Sequence, residues 1–235
     1  MNVLPEQMLV LRKIAEGLGD LRDEVVLVGG MATGLLVTDP GAAEARPTID
    51  VDFVIEVESR VDYYRRVRER LRARGFREDI REGAPLCRWL LDGHSVDVMP
   101  TDPEVLGFSN DWYPHAIATA ERVLLTPDEA EPLAIRLVSA PAFCAMKLAS
   151  FASRGDGDLL HRDIEDVISL IDGRGELLSE IEADSPELRT FLAVSISTLL
   201  RAGLEEHVAS HLPGDFASQA REPLVVAILQ RIADL

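Results

Sequence analysis

Cysteine and positive charge are both scarce in this chain, and each shortage closes off a class of protein. The two cysteines among 235 residues, Cys87 and Cys144, show no Cys-x-x-Cys or Cys/His spacing, so neither a disulfide scaffold nor a zinc module is expected. Both read as core thiols. Lysine and arginine total 24 against 41 acidic residues, a net charge of −17. A protein that coats nucleic acid non-specifically needs the opposite balance, because every neutralised phosphate takes a cation. No apolar run approaches the roughly 18 residues of a membrane span. Glu6, Arg12, Lys13 and Glu16 interrupt the region where the apolar core of a signal peptide would lie. A cytoplasmic protein that does not engage membranes is therefore expected.

What is present is a globular composition, 47% hydrophobic and 28% charged, with length enough for one large domain or two small ones. The scarce positive charge is concentrated. Between Arg60 and Arg81 nine arginines stand against four acids, a local charge of +5. Such a segment is either a solvated helix face or a local grip for RNA or a triphosphate.

The periodicity predicts an α/β (α+β) organisation. Helical spacing covers Met8 to Leu21, and an apolar strand follows at Glu24 to Val28. A helix is expected over Gly30 to Val37, a loop over Asp39 to Pro47, and a second strand over Ile49 to Val57. The arginine-rich helix, Ser59 to Arg74, should turn Tyr64, Val67 and Leu71 inward and end at Gly75. Leu86 to Leu91 and Ser95 to Val98 read as a hairpin around Asp92-Gly93. Short strands are expected near Glu121 to Leu125 and Leu133 to Val138. Helices should then cover Pro141 to Ser153, Leu159 to Ile171, Pro186 to Leu204 and Pro223 to Ala233, three of them opening on a proline that a first turn tolerates. A sheet domain over residues 1–138 and a helical domain over 139–235 are the expected units.

Several residues carry chemistry in this arrangement. Asp50 and Asp52 alternate with Val51 and Phe53, so in a strand both carboxylates share one face. Two acids so placed repel, and Mg²⁺ is the usual remedy because it prefers oxygen ligands together with substrate phosphates. Gly29-Gly30, between a strand and a helix, would let backbone N–H groups approach a phosphate. A dinucleotide fingerprint would need glycine at position 31, which is Met31, and no Lys-Ser/Thr pair completes a Walker loop. Asp97 alternates with Val96 and Val98 and is either a third site carboxylate or an exposed hairpin acid. Lys147 is a lone cation in an apolar helix, suited to a triphosphate as a mobile point charge, with Arg154 two turns further on. Asp163 and Asp166 are neighbours on one helical face, where one of them could orient Lys147. His207 and His211 have an i, i+4 spacing but no accompanying ligand pattern.

The ordered set Gly29-Gly30-Met31-Ala32, Arg46-Pro47-Thr48-Ile49-Asp50-Val51-Asp52, Lys147-Leu148-Ala149 through Arg154, and Arg162-Asp163-Ile164-Glu165-Asp166 resembles the AbiEii-type nucleotidyltransferase toxins, over roughly residues 25–172. Their fold is the DNA polymerase β-like nucleotidyltransferase fold. The resemblance implies a mixed-sheet catalytic domain over residues 1–138 and a helical domain over 139–235 that contributes Lys147 and Asp163. It implies transfer of a nucleoside monophosphate from an NTP to an acceptor hydroxyl, with two Mg²⁺ ions. Asp50, Asp52 and Asp97 would be catalytic metal ligands, and Lys147 and Asp163 further catalytic residues. Gly29, Gly30, Thr33, Arg46, Thr48, Lys147 and Arg154 would bind the nucleotide.

The expected acceptor is an RNA, with the tRNA 3′ end foremost, and an antitoxin protein is an expected partner. The arginine helix would grip the RNA, and Trp112 or Tyr113 would stack on a base. Three alternatives stay open: an aminoglycoside-like small-molecule acceptor, drawn to the acidic body; a protein hydroxyl; and a non-catalytic fold member that acts as a binding partner. Oligomeric state and nucleotide preference are not legible.

Overall fold

The structure is a computed structural model that describes residues 3–42, 46–48, 50–126 and 132–235. By its contacts the chain forms two compact units, Val3–Ala32 with Pro47–Ser139, and Thr33–Arg46 with Ala140–Leu235.

The first unit is built on a sheet. Its elements are α1 (Pro5–Leu18), β1 (Val25–Val28), the start of α2 (Gly29–Leu36), β2 (Asp50–Ile55), α3 (Arg60–Asp62), α4 (Glu69–Ala73), β3 (Arg77–Glu78), β4 (Arg88–Leu91), β5 (His94–Pro100), α5 (Pro103–Leu106), α6 (Tyr113–Ala118), β6 (Glu121–Leu124) and β7 (Ala134–Leu137). Ile49, expected to open β2, and residues 43–45 of the expected loop lie outside the described residues. The seven strands run in the order β3-β4-β5-β2-β1-β7-β6. Pairs β2/β5 and β1/β7 are parallel and the other neighbours antiparallel, so the sheet is mixed.

Apolar alternation fixes how this sheet is seated. Val51, Phe53, Val96, Val98 and Trp89 are buried on neighbouring strands, and a one-residue slip would turn all of them out. The β4–β5 hairpin turns through Asp92 and Gly93, both with positive φ (49° and 86°), the conformation that matches strand twist in a two-residue turn.

The arginine-rich helix departs from expectation. Ser59 caps it, its Oγ accepting the Asp62 N–H at 3.1 Å, but Tyr63–Arg68 winds as a π-helix. Its i→i+5 hydrogen bonding shifts the inward face. Tyr63, 1% exposed, joins Val67 and Leu71 in the core, while Tyr64 is 37% exposed. The Tyr63 hydroxyl donates to the Val98 carbonyl at 3.0 Å. Strand β3 and helices α5 and α6, of two, four and six residues, are too short to leave a periodic signal.

The second unit is helical: α7 (Ala140–Arg154), α8 (Arg162–Gly173), α9 (Leu177–Ala183), α10 (Pro186–Arg201), α11 (Val208–His211), α12 (Phe216–Gln219) and α13 (Glu222–Ala233). Helix α7 packs on α8, α9 and α10, and α13 on α8 and α10, around Phe143, Leu148, Ile168, Leu192, Ile196 and Leu229. Helix α8 begins at Arg162 rather than Leu159 because His161 caps it, Nδ1 accepting the Asp163 N–H at 3.2 Å.

Segment 33–46 belongs to this unit through polar contacts. Thr38 and Asp39 donate their N–H groups to the Gly173 carbonyl, both at 2.9 Å, and Arg221 bridges Asp172 and Asp39 at 2.5 and 2.8 Å. Among the described residues, no helix is long and apolar enough to cross a membrane.

The hydrogen bond from Tyr63 to the Val98 carbonyl is buried. Tyr63→Phe should destabilise the protein by about 1 kcal/mol with the denaturant slope unchanged, which urea unfolding followed by circular dichroism would read.

Candidate functional site

Strand register assembles the first polar centre. On parallel β2 and β5, Asp52 is aligned with Asp97, and on antiparallel β4 and β5, Arg88 is directly opposite Asp97. Register neighbours share a face, so Arg88, Asp97 and Asp52 form a row across three strands, with Asp50 two residues along on the same side. Asp97 is buried, only 7% exposed, which sets aside its reading as an exposed hairpin acid.

Arg88 answers this negative charge. Its Nε and Nη2 donate to Oδ1 and Oδ2 of Asp97 at 2.9 and 2.8 Å, and Nη2 also reaches Asp50 Oδ2 at 3.1 Å. These hydrogen bonds to Asp97, reinforced by its charge and that of Asp50, push the guanidinium's pKa above the ordinary arginine value. Arg88 was not among the residues singled out from the sequence.

Gly29 backs this row. It has φ +69°, and a Cβ placed there would fall 1.9 Å from Asp52 Oδ2. Only glycine therefore lets the carboxylate lie against the start of α2. A Cβ on Gly30 would sit 3.4 Å from Thr48, and the Thr48 Oγ1 lies 3.5 Å from the Asp50 carbonyl. Thr33 is almost fully buried, and its Oγ1 has no hydrogen-bond partner among the described residues.

A second polar centre lies in the helical unit. Asp163 is fully buried, and Arg154 grips it through Nε at 3.1 Å and Nη2 at 2.9 Å. Lys147 Nζ donates to Asp166 at 2.5 Å and to Asp163 at 3.4 Å, 5.4 Å from the Phe143 ring. Arg46 adds Nε 3.4 Å from Glu165 and Nη2 3.8 Å from Asp166. The structure thus brings together Lys147, Arg154, Asp163 and Arg46 here, and Asp50, Asp52 and Asp97 in the sheet unit.

A family model described as the nucleotidyl transferase AbiEii toxin of a type IV toxin–antitoxin system matches residues 14–224. The chain belongs to the AbiEii family. It is accordingly a nucleotidyltransferase, as the sequence resemblance implied. No curated protein matches it significantly in sequence. Among solved structures, an antigenic nucleotidyltransferase-like protein from Paracoccidioides brasiliensis is 25% identical, with 84% of this chain and 93% of that chain covered and a TM-score of 0.46. The antibiotic-resistance factor ANT(2″)-Ia in solution is 18% identical over 88% of this chain and 98% of its own, also with a TM-score of 0.46. The assignment rests on the family match and not on these weak likenesses.

Within this AbiEii chain the donor set fits a hard divalent cation. Asp50, Asp52 and Asp97 offer oxygen only, on one face, where their mutual repulsion calls for positive charge. As they stand, their charge is met by Arg88, and no three His, Cys, Asp or Glu side chains among the described residues are gathered closely enough to hold a metal ion. His207 and His211 bond instead to the Gly203 and Leu159 carbonyls.

Other expectations change. The arginine helix is not an open basic face. Arg66 pairs with Asp62 and Glu24, Arg70 with Glu24 and Asp20, Arg74 with Asp20, and Arg68 and Arg72 with Glu78. Arg60 and Arg65 are the arginines of this helix with no carboxylate partner among the described residues. Tyr113 is buried, its hydroxyl 3.2 Å from Met99 sulfur, and so is a core residue with no face for stacking. Both cysteines are buried and free, and burial pushes their thiols up to about 12, which fits inert core residues.

Two measurements check this geometry. Gly29→Ala should leave a folded protein, destabilised by about 1–2 kcal/mol through the left-handed backbone. It should lower nucleotidyl transfer by roughly 100-fold, as a displaced carboxylate does. Glu78, meanwhile, is held below the ordinary glutamate range by its hydrogen bond from Arg68. Its contribution is therefore present above the ordinary glutamate pKa and is lost as pH falls through the lowered folded-state value. Glu78→Gln should flatten the acid limb of the stability–pH curve, measured as melting temperature.

Proposed function

We propose that this AbiEii nucleotidyltransferase uses Mg²⁺ and transfers a nucleoside monophosphate from an NTP to a hydroxyl of an RNA, the tRNA 3′ end first among candidates, as a toxin answered by a cognate antitoxin. The observation that carries the reading is the row of Asp52 and Asp97 in register, with Asp50 beside it and Gly29 making room for Asp52.

In this reading Asp50 and Asp52 would hold the metal with Asp97 as a further ligand, and Asp97 would take the proton of the acceptor hydroxyl. Bound divalent cations supply Lewis-acid stabilisation of the charge that develops on the transferring phosphoryl group and lower the pKa of the attacking hydroxyl. The acceptor oxygen forms a bond to the α-phosphorus as the bond to the β-phosphate oxygen breaks, and pyrophosphate leaves. The N–H groups at Gly29 and Gly30, at the start of an eight-residue helix, donate to phosphate oxygens. Thr48 lies beside them. Lys147, 13% exposed and held by Asp166 and Asp163, serves as a point charge for the triphosphate, oriented by Asp163, with Arg154 and Arg46 alongside. Thr33, being enclosed, is left out of these contacts.

A second acceptor class is favoured by one finding. With most of the arginine helix internally paired and a net charge of −17, a small cationic hydroxyl compound would meet less repulsion than an RNA.

Purified protein incubated with labelled NTPs, Mg²⁺ and total tRNA should label the RNA, and Asp50→Asn should lower labelling by about 1000-fold, the scale of removing an essential charge-stabilising group. Absence of RNA labelling, together with transfer to an aminoglycoside on thin-layer chromatography, would move the acceptor to the second class. Absence of any transfer, with Asp50→Asn as toxic as wild type in growth assays, would sink the catalytic reading.

A further inference from the structure

Arg88 spends its hydrogen bonds on the carboxylates that the proposed function assigns to a metal. Both oxygens of Asp97 and one of Asp50 accept from it, and its side chain is 21% exposed. We propose that Arg88 is a resident counter-cation that holds Asp50 and Asp97 in the metal-free protein and is displaced when a divalent cation binds. It would thereby set the cation concentration at which the enzyme becomes competent. This inference rests on the assignment of those carboxylates to metal binding.

The physical basis is competition for one patch of negative charge. A carboxylate oxygen keeps a lone pair free after accepting one hydrogen bond, so the conflict is not simply steric. A dication bound by Asp50 and Asp97 would stand next to a guanidinium in a partly buried place, where repulsion is poorly screened. An arginine cannot relieve this by losing its proton. It has to move.

The surroundings give it somewhere to go. Arg88 also lines a groove of about 560 Å³ with Glu78, Asp79, Glu104, Tyr64 and Leu86. Of the three carboxylates in that lining, Glu78 is already paired with Arg68 and Arg72 and Asp79 with Arg81, which leaves Glu104, without an ion pair among the described residues, to receive the displaced guanidinium. Without any cation, Asp50, Asp52 and Asp97 would repel across the strands, so the same residue that competes with the metal supports the sheet until the metal arrives. Arg88 is thus a positioning residue acting on the metal ligands.

The test is a calorimetric titration of the full chain with Mn²⁺ at fixed ionic strength, comparing wild type, Arg88→Gln, Arg88→Lys and Asp52→Asn. Arg88→Gln should bind Mn²⁺ about tenfold more tightly than wild type, the equivalent of removing a competing contact of about 1.4 kcal/mol. Arg88→Lys, which keeps the charge but loses the fork, should fall between them. The melting temperature of metal-free Arg88→Gln should lie below wild type, and the gap should close at saturating Mn²⁺. Equal or weaker binding by both arginine variants overturns the proposal while leaving the metal site intact. If wild type binds no better than Asp52→Asn, the metal assignment fails and this inference with it. Should Arg88→Gln not fold, Arg88→Lys decides alone, since it too must bind more tightly than wild type.

Discussion

Two like charges at paired positions on adjacent strands are the constraint that the sheet unit is built to bear. Asp52 and Asp97 are in register on parallel β2 and β5, an arrangement that costs energy unless a cation is close. The apolar partners on the other face do not let the strands slide to relieve it. Val51, Phe53, Val96, Val98 and Trp89 are all buried, and the two-residue turn at Asp92-Gly93 ties β4 to β5 in one register. Burial thus enforces the repulsion, and Arg88, opposite Asp97 in that hairpin, compensates it. Fold stability and site chemistry meet in the same cross-strand row.

The helical unit repeats the logic with different means. Asp163 and Asp166 are buried in α8, three residues apart, where two ionised carboxylates would be prohibitive alone. Arg154, Lys147 and Arg46 converge on them, and the N-terminal end of α8, capped by His161, adds its favourable dipole to Asp163. In the helical unit a buried pair of carboxylates, and in the sheet unit the buried Asp97 with its half-buried neighbours, gather cations. An acidic chain with few positive charges has therefore concentrated them at its polar centres and along the arginine helix, where carboxylates from distant sequence neutralise them.

How far this was legible follows the range of the interactions. Asp50, Asp52 and the Gly29-Gly30 turn declare themselves through nearest-neighbour alternation and a local strand-to-helix break. Arg88 was legible in principle: a two-residue turn at 92–93 pairs Leu91 with His94, and counting back puts Arg88 against Asp97. Other features had no local signal. The pairing of Arg66, Arg70 and Arg74 with Asp20 and Glu24 joins residues some forty to fifty positions apart, so a charge count confined to 60–81 overstated the exposed positive surface. The π-helical turn that exchanges Tyr64 for Tyr63 sets the Tyr63 hydroxyl against the Val98 carbonyl of β5, a contact without a local signal. The attachment of segment 33–46 to the helices through Gly173 and Arg221 is likewise tertiary.

The choice between arginine and lysine separates the two centres chemically. The chain has only two lysines, Lys13 and Lys147. Lys13 is a surface residue, its Nζ 3.0 Å from Asp92. Against that background a lysine at 147, in an apolar helix, is a pointed exception. At Arg88 and Arg154 the planar fork engages both oxygens of one carboxylate, which fixes that carboxylate's orientation. Lys147 divides a compact ammonium between Asp166 and Asp163, with one contact short and the other 3.4 Å. Such a group can turn a proton toward an arriving oxyanion without surrendering a bidentate contact. An arginine there would bond its two neighbours more firmly and have less freedom to leave them. The arrangement is therefore rigid at Asp97 and Asp163, each held by an arginine fork, and adaptable at Lys147.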